Sequence, residues 1–155
     1  MKKALLAALI LTLLASSAWA AKPPLGLRAG YTSWKSTKQF HFGAHARLGE
    51  LFPSVHFTPN LEMGFGDNMT VIAANGDLAY SFTELVNDPL GLYAGGSLSL
   101  IYTKPHSFES DFNLGLSGLA GVTWKFGNGN EGLAEVRFGI LDSPGFKATL
   151  GYTFF

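Results

Sequence analysis

The sequence predicts an all-β fold: an eight-stranded antiparallel up-and-down transmembrane β-barrel. Three observations carry that expectation. Apolar and polar residues alternate with period two in eight segments, the pattern of strands with two unlike faces. One face is mostly Gly, Ser, Thr and Asn with charges of both signs, while the other carries bulky rings and aliphatic chains. Hydrophobic residues make up 47% of the 155-residue chain and charged ones 14%, with 19 Gly, 13 Phe and no Cys. A chain this apolar, with almost no helical spacing and no disulfide to staple it, has to place its apolar surface somewhere other than a small globular core.

Residues 1–20 read as a cleaved signal peptide and residues 21–155 as one barrel domain. Lys2 and Lys3 form a positive start, Ala4 to Leu14 an apolar stretch, and Ala18-Trp19-Ala20 the small-residue pattern before a cleavage point. The apolar run is shorter than the roughly 20 residues of a spanning helix. No Cys follows it, which excludes lipid attachment to a cysteine. The mature chain keeps nine Lys and Arg against eleven Asp and Glu and shows no basic patch, so nucleic acid is not an expected partner.

The strands follow in order. Leu25, Leu27, Ala29 and Tyr31 share a face opposite Arg28 and Thr32. Phe40, Phe42, Ala44, Ala46 and Leu48 oppose His41, His45 and Arg47. Val55, Phe57, Leu61, Met63 and Phe65 oppose His56, Thr58, Asn60 and Glu62. Pro59 falls on that apolar face and has no N–H for a ladder, so a local bulge or a displaced hydrogen bond is expected there. Ala74, Leu78, Tyr80 and Phe82 oppose Asn75, Asp77 and Ser81. Leu92 to Tyr102 set Leu98 and Leu100 against Ser97 and Ser99. Leu114 to Phe126 set Val122 and Trp124 against Ser117, Thr123 and Lys125. Ala134, Val136, Phe138 and Ile140 oppose Glu135 and Arg137. Phe146, Ala148, Leu150, Tyr152 and Phe154 oppose Lys147, Thr149 and Thr153. Tyr93, Ile101 and Leu119 are exceptions, bulky residues on the polar face.

Small polar residues suit the crowded interior of an eight-stranded barrel, and the bulky face suits lipid. With both termini at the inner rim, Tyr31, Phe40, Phe42, Phe65, Tyr102, Phe112, Phe138 and Phe146 lie toward the outer rim. Phe57, Tyr80, Phe82, Trp124, Phe126, Tyr152 and Phe154 lie toward the inner rim. Two aromatic girdles follow from topology alone, as expected where rings meet headgroups. In hydrocarbon every backbone polar group needs an internal partner. The last strand, ending GYTFF, is therefore expected to close on the first, LGLRAGYT.

The candidate site is the lumen. Arg28, Arg47, Glu62, Asp77, Lys125, Glu135, Arg137 and Lys147 are its charges, expected to pair as a structural plug because isolated buried charges are costly. A gated ion or solute path is the sharper alternative. His41, His45 and His56 also face inward. His41 and His45 lie about 13 Å apart along one strand, too far to chelate one ion. His45 and His56 are possible neighbours across a hairpin, but no third ligand stands out, so neither a metal nor another cofactor is expected. Ser54 near His56 and Ser107 beside His106 are the serines nearest a histidine, a weak basis for hydrolase chemistry. The outer loops, about residues 33–38, 66–69, 103–111 and 141–145, are short.

The eight alternating strands and the terminal Phe146-Lys-Ala-Thr-Leu-Gly-Tyr-Thr-Phe154 resemble the small eight-stranded bacterial outer-membrane barrels, the class of the OmpA and OmpX transmembrane domains. The resemblance covers about residues 25–155. It implies an integral envelope protein, monomeric and in contact with outer-membrane lipid. It further implies handling by periplasmic chaperones and the barrel assembly machinery, with Phe146, Leu150, Tyr152, Phe154 and Phe155 as the assembly signal. Members usually end on the outward Phe, whereas Phe155 follows one place later here. The resemblance also admits two other activities: passage or binding of small or hydrophobic solutes, and lipid modification. No His-x-Ser pair of the lipid A deacylase kind lies on a late strand.

Overall fold

The computed structural model describes residues 23–34, 37–66, 69–86, 88–105 and 110–155. The signal-peptide reading of residues 1–20 and the His106–Ser107 pair lie outside the described residues. Among the described residues nine strand elements occur: β1 (Leu25–Trp34), β2 (Thr37–Ala46), β3 (Glu50–Phe52), β4 (Val55–Gly66), β5 (Met69–Ser81), β6 (Leu90–Pro105), β7 (Asp111–Lys125), β8 (Glu131–Leu141) and β9 (Phe146–Phe154). Each pairs antiparallel with its neighbours, and the β2–β4 and β1–β9 ladders close the sheet. The closing seam sets Leu25 opposite Phe154 and Leu27 opposite Tyr152, so the GYTFF end pairs with the first strand as expected.

The ninth element has a cause in Pro59. Phe40 opposite Phe65 and His45 opposite Asn60 share one register, and Leu48 N donating to Phe57 O continues it. Backbone direction alternates along an antiparallel ladder. Phe57 turns its N–H and C=O toward Gly49 and Leu48, so the Pro59 nitrogen faces that side as well, opposite Ala46. With no N–H to give there, the ladder breaks and β2 stops. The chain then passes Gly49 at φ 83° and resumes as β3, with a register shift between Glu50 and Phe52. Toward β5 the pairing runs unbroken through Pro59 opposite Gly76. No sequence signal marks a bulge on β8, yet one is present: Leu116 opposes Leu141 and Ser117 opposes Gly139, leaving Ile140 unpaired.

Exposure follows the inverted pattern. Phe40 is 75% exposed, Ile140 68% and Leu150 65%, whereas Arg28, Glu62, Asp77 and Arg137 are each 3%. Among the described residues eight ring pairs pack around the outside, mostly edge-on or tilted, with centroids from 4.8 Å for Tyr102–Phe112 to 6.3 Å for Trp124–Phe126. Each pair joins members of the same expected girdle: Tyr31–Phe40, Phe42–Phe65 and Phe138–Phe146 on one side, Tyr80–Phe82, Phe126–Tyr152 and Tyr152–Phe154 on the other. Two residues depart from their expected outward exposure. Leu48 and Phe57 are buried, because residues 47–52 lie alongside the start of β4 and cover that stretch.

Candidate functional site in the lumen

Six charged side chains from five strands converge at mid-lumen. Arg28 on β1 reaches three carboxylates: Glu62 of β4 at 3.4 Å, Asp77 of β5 at 3.6 Å and Glu135 of β8 at 3.0 Å. Arg137 of β8 grips Asp77 with both terminal nitrogens, at 2.5 and 2.9 Å, and donates its Nε to Glu135 at 2.7 Å. Lys147 of β9 pairs with Glu62. Three cations therefore meet three carboxylates, a charge-balanced set in a place too narrow for free hydration. The spacing of Glu135 and Arg137, two apart on one strand, makes them same-face neighbours as the alternation requires.

Neutral side chains satisfy most of the remaining polar atoms. Ser97 donates to Asp77 at 2.6 Å, Asn60 donates to Asp77 at 2.7 Å and Asn75 donates to Asn60 at 2.7 Å. Tyr93, an exception to the alternation, turns its hydroxyl onto Glu135 at 2.9 Å. The other two exceptions also point inward: Ile101 is 1% exposed and Leu119 4%. Ile101 joins Trp34, Val71 and Ala73 in an apolar cluster inside the outer end of the lumen. Val71 and Ala73 sit on the polar-face parity of β5, so a two-residue alternation could have revealed that cluster, but no single motif marks it. Asn60, Asn75 and Ser97 share the inward parity of Glu62 and Asp77, which puts them on the polar face in sequence but does not mark them as hydrogen-bond partners of the charges.

Two of the three inward-parity histidines bind threonines. His41 lies between Thr32 at 2.8 Å and Thr149 at 3.1 Å, and His45 meets Thr153 at 2.8 Å. His45 and His56 are not neighbours: His45 opposes Asn60, and His56 lies 3.7 Å from Glu50. No group of three metal-ligating side chains occurs among the described residues. Ser54, at φ 63°, accepts a bond from Ser81 through its carbonyl. Two expected lumen charges sit at the inner rim instead. Arg47 is partly exposed and pairs with Glu131, an acid outside the Ala134–Ile140 alternation because β8 starts three residues earlier. Lys125 has the inward parity but ends β7 at the rim, where its side chain is exposed and holds Asp88 at 2.9 Å.

The voids are small on both sides of the ion network. The outer one, between the network and Trp34, measures about 30 Å³, and the inner one, beside Arg28 and His45, about 40 Å³. A few water molecules fill such volumes. Below lies a wider vestibule of about 640 Å³ at the inner rim. Above, Ser143 and Pro144 of the β8–β9 turn line the outer void, so that turn folds over the mouth. On the terminal strand Phe146, Leu150 and Phe154 are exposed, and Phe155 is tied by its N–H to the Asn130 side chain at 3.2 Å. Asn130 also donates to the Tyr152 hydroxyl at 2.9 Å.

No protein-family model matches the chain, and no curated protein does. Among solved structures, Neisserial surface protein A (NspA) superposes with a TM-score of 0.70 at 15% identity, over 86% of this chain and 96% of that one. The outer membrane enzyme PagL gives 0.54 at 10% identity, over 83% and 97%. The Yersinia pestis outer membrane protein Ail, in a phospholipid bilayer nanodisc, gives 0.50 at 13% identity, over 85% and 98%. At these identities the likeness concerns architecture. The chain has the closed eight-stranded antiparallel barrel fold of the small outer-membrane barrel proteins.

Proposed function

We propose that the protein is an integral outer-membrane barrel of structural, envelope role whose lumen is a plug. The observation that carries this reading is the crossing of the lumen by Arg28, which meets carboxylates from β4, β5 and β8 at once. An ion entering the barrel would have to separate these pairs, and breaking one leaves a buried charge uncompensated. The 68% exposure of Ile140 and 65% of Leu150 support a hydrocarbon surrounding for the outer wall. The outward rings of β9 support its use as the assembly signal, with chaperones and the barrel assembly machinery as transient partners and lipid as the lasting one. The barrel works as a monomer in this reading.

Planar-bilayer recording tests it. The refolded wild-type chain adds no steady current at neutral pH, while Glu62→Ala and Arg137→Ala each introduce an ion leak. Stable unitary steps from the wild-type chain would replace the plug with a channel.

A further inference from the structure

The outer wall is not evenly bulky. A trough of about 1230 Å³ runs obliquely across it, lined almost wholly by carbon. It begins beside Tyr31, Phe40 and Phe42 of the outer girdle and ends at Phe82 and Leu92 near the inner rim. Its floor is alanine. Ala94 and Ala120 face each other across β6 and β7, Ala134 follows on β8 opposite Val122, and Ala148 follows on β9 opposite Val136. Small residues on four adjacent strands lower the wall between two ridges of rings.

We propose that this trough seats an acyl chain of membrane lipid, ordered against the barrel rather than exchanging freely with the bulk. The proposal rests on the outer-membrane reading above. Three features select a chain over other occupants. The walls expose carbon, because Glu135, which also lines the trough, turns its carboxylate into the lumen onto Arg28 and Arg137, and His41 and Thr149 bond each other, so the occupant is apolar. The path winds around a barrel, which a flexible chain can follow and a straight helix cannot. The two ends lie at the aromatic girdles, the level at which lipid headgroups enter.

The test uses the full chain in phosphatidylcholine vesicles containing spin-labelled phosphatidylcholine. Electron spin resonance separates a motionally restricted lipid population from the fluid one. The wild-type barrel is expected to hold more restricted lipid than a variant whose trough is filled by Ala120→Leu, Ala134→Leu and Ala148→Leu. The difference is about one lipid per barrel, since a filled trough loses the shape that makes the chain's contacts. Ala134→Leu alone gives a smaller loss and covers the case in which the triple variant fails to fold. Ala74→Leu, on the outward face of β5 outside the trough, leaves the population unchanged. Equal restricted fractions in all vesicle-bound variants overturn the trough assignment alone. Dimers that crosslink in the wild-type chain and vanish on filling overturn it in favour of a second copy. If the wild-type chain does not float with vesicles through a density gradient, the membrane reading fails together with it.

Discussion

Arg137 shows what a single lumen residue has to do. Its guanidinium is planar and rigid, so it can hold Asp77 with two parallel bonds while its Nε serves Glu135. Lysine offers one compact charge and cannot reproduce that fork. Truncating Arg137 leaves Asp77 and Glu135 buried and short of positive charge. Arg137→Ala is therefore expected to cost about 3–5 kcal/mol of folding stability, the usual penalty for breaking a buried pair. Urea unfolding in vesicles reads it as a lower midpoint. Lys125→Ala removes a charge of the same parity from the exposed rim, where water screens the pair with Asp88, and leaves the midpoint unchanged. The contrast also marks what the sequence reveals of the site. Alternation assigns a face, so Arg28, Glu62, Asp77, Glu135, Arg137 and Lys147 were legible as lumen charges. It does not assign depth, and Lys125 and Arg47 were placed in a network they border from the rim. Partner choice was also hidden, because pairs such as Arg28–Glu135 join β1 and β8 and no local pattern records such a distance.

At the scale of the strand, glycine and proline decide where the wall bends or breaks. Gly43 on β2 faces inward opposite Glu62, and a Cβ there would lie 2.1 Å from the Leu61 carbonyl oxygen. The neighbouring backbone comes so close that only hydrogen fits. Gly96 on β6 faces outward, and the nearest atom to an added Cβ is the Ser117 oxygen at 3.7 Å, an ordinary contact. Gly43→Ala is expected to cost about 1–3 kcal/mol, as overpacking does, with backbone displaced from β4. Gly96→Ala is expected to be neutral or slightly stabilising, because the unfolded chain loses freedom at no cost to the fold. Equilibrium unfolding of the two variants side by side separates them, and equal losses would mean that β2 and β4 are not in close approach. The strands themselves were readable because each keeps one parity for most of its length. The break at Pro59 was readable in kind, since a missing N–H is a property of the residue. The Ile140 bulge was not, because an extra residue at a strand end before Asp142 and Pro144 looks the same in sequence as the start of the turn.

The whole molecule is a sheet whose apolar face looks out. That inversion makes the surroundings part of the fold: the same outward leucine is harmless in hydrocarbon and a liability in water. Leu25 and Leu150 give a way to read the surroundings from stability. Their exposures are nearly equal, 61% and 65%, but Leu25 starts β1 at the inner rim and Leu150 lies at the middle of β9. For a barrel standing in water, replacing either exposed leucine by arginine alters stability by no more than about 0.5 kcal/mol. In a bilayer the cost depends on depth, about 2–4 kcal/mol for arginine at the midplane and about 0–1 kcal/mol near an interface. Leu150→Arg is therefore expected to lower the unfolding free energy in phosphatidylcholine vesicles by about 2–4 kcal/mol, and Leu25→Arg by about 1 kcal/mol or less. The difference between the two variants is the informative quantity, since it cancels the intrinsic effect of putting arginine on a strand. A pair of equal, small losses would place water around the wall, and with it the acyl chain in the alanine trough would have no source. A large loss at Leu150 with little at Leu25 requires a hydrocarbon layer centred on the middle of β9, between the Phe138–Phe146 and Tyr152–Phe154 ring pairs.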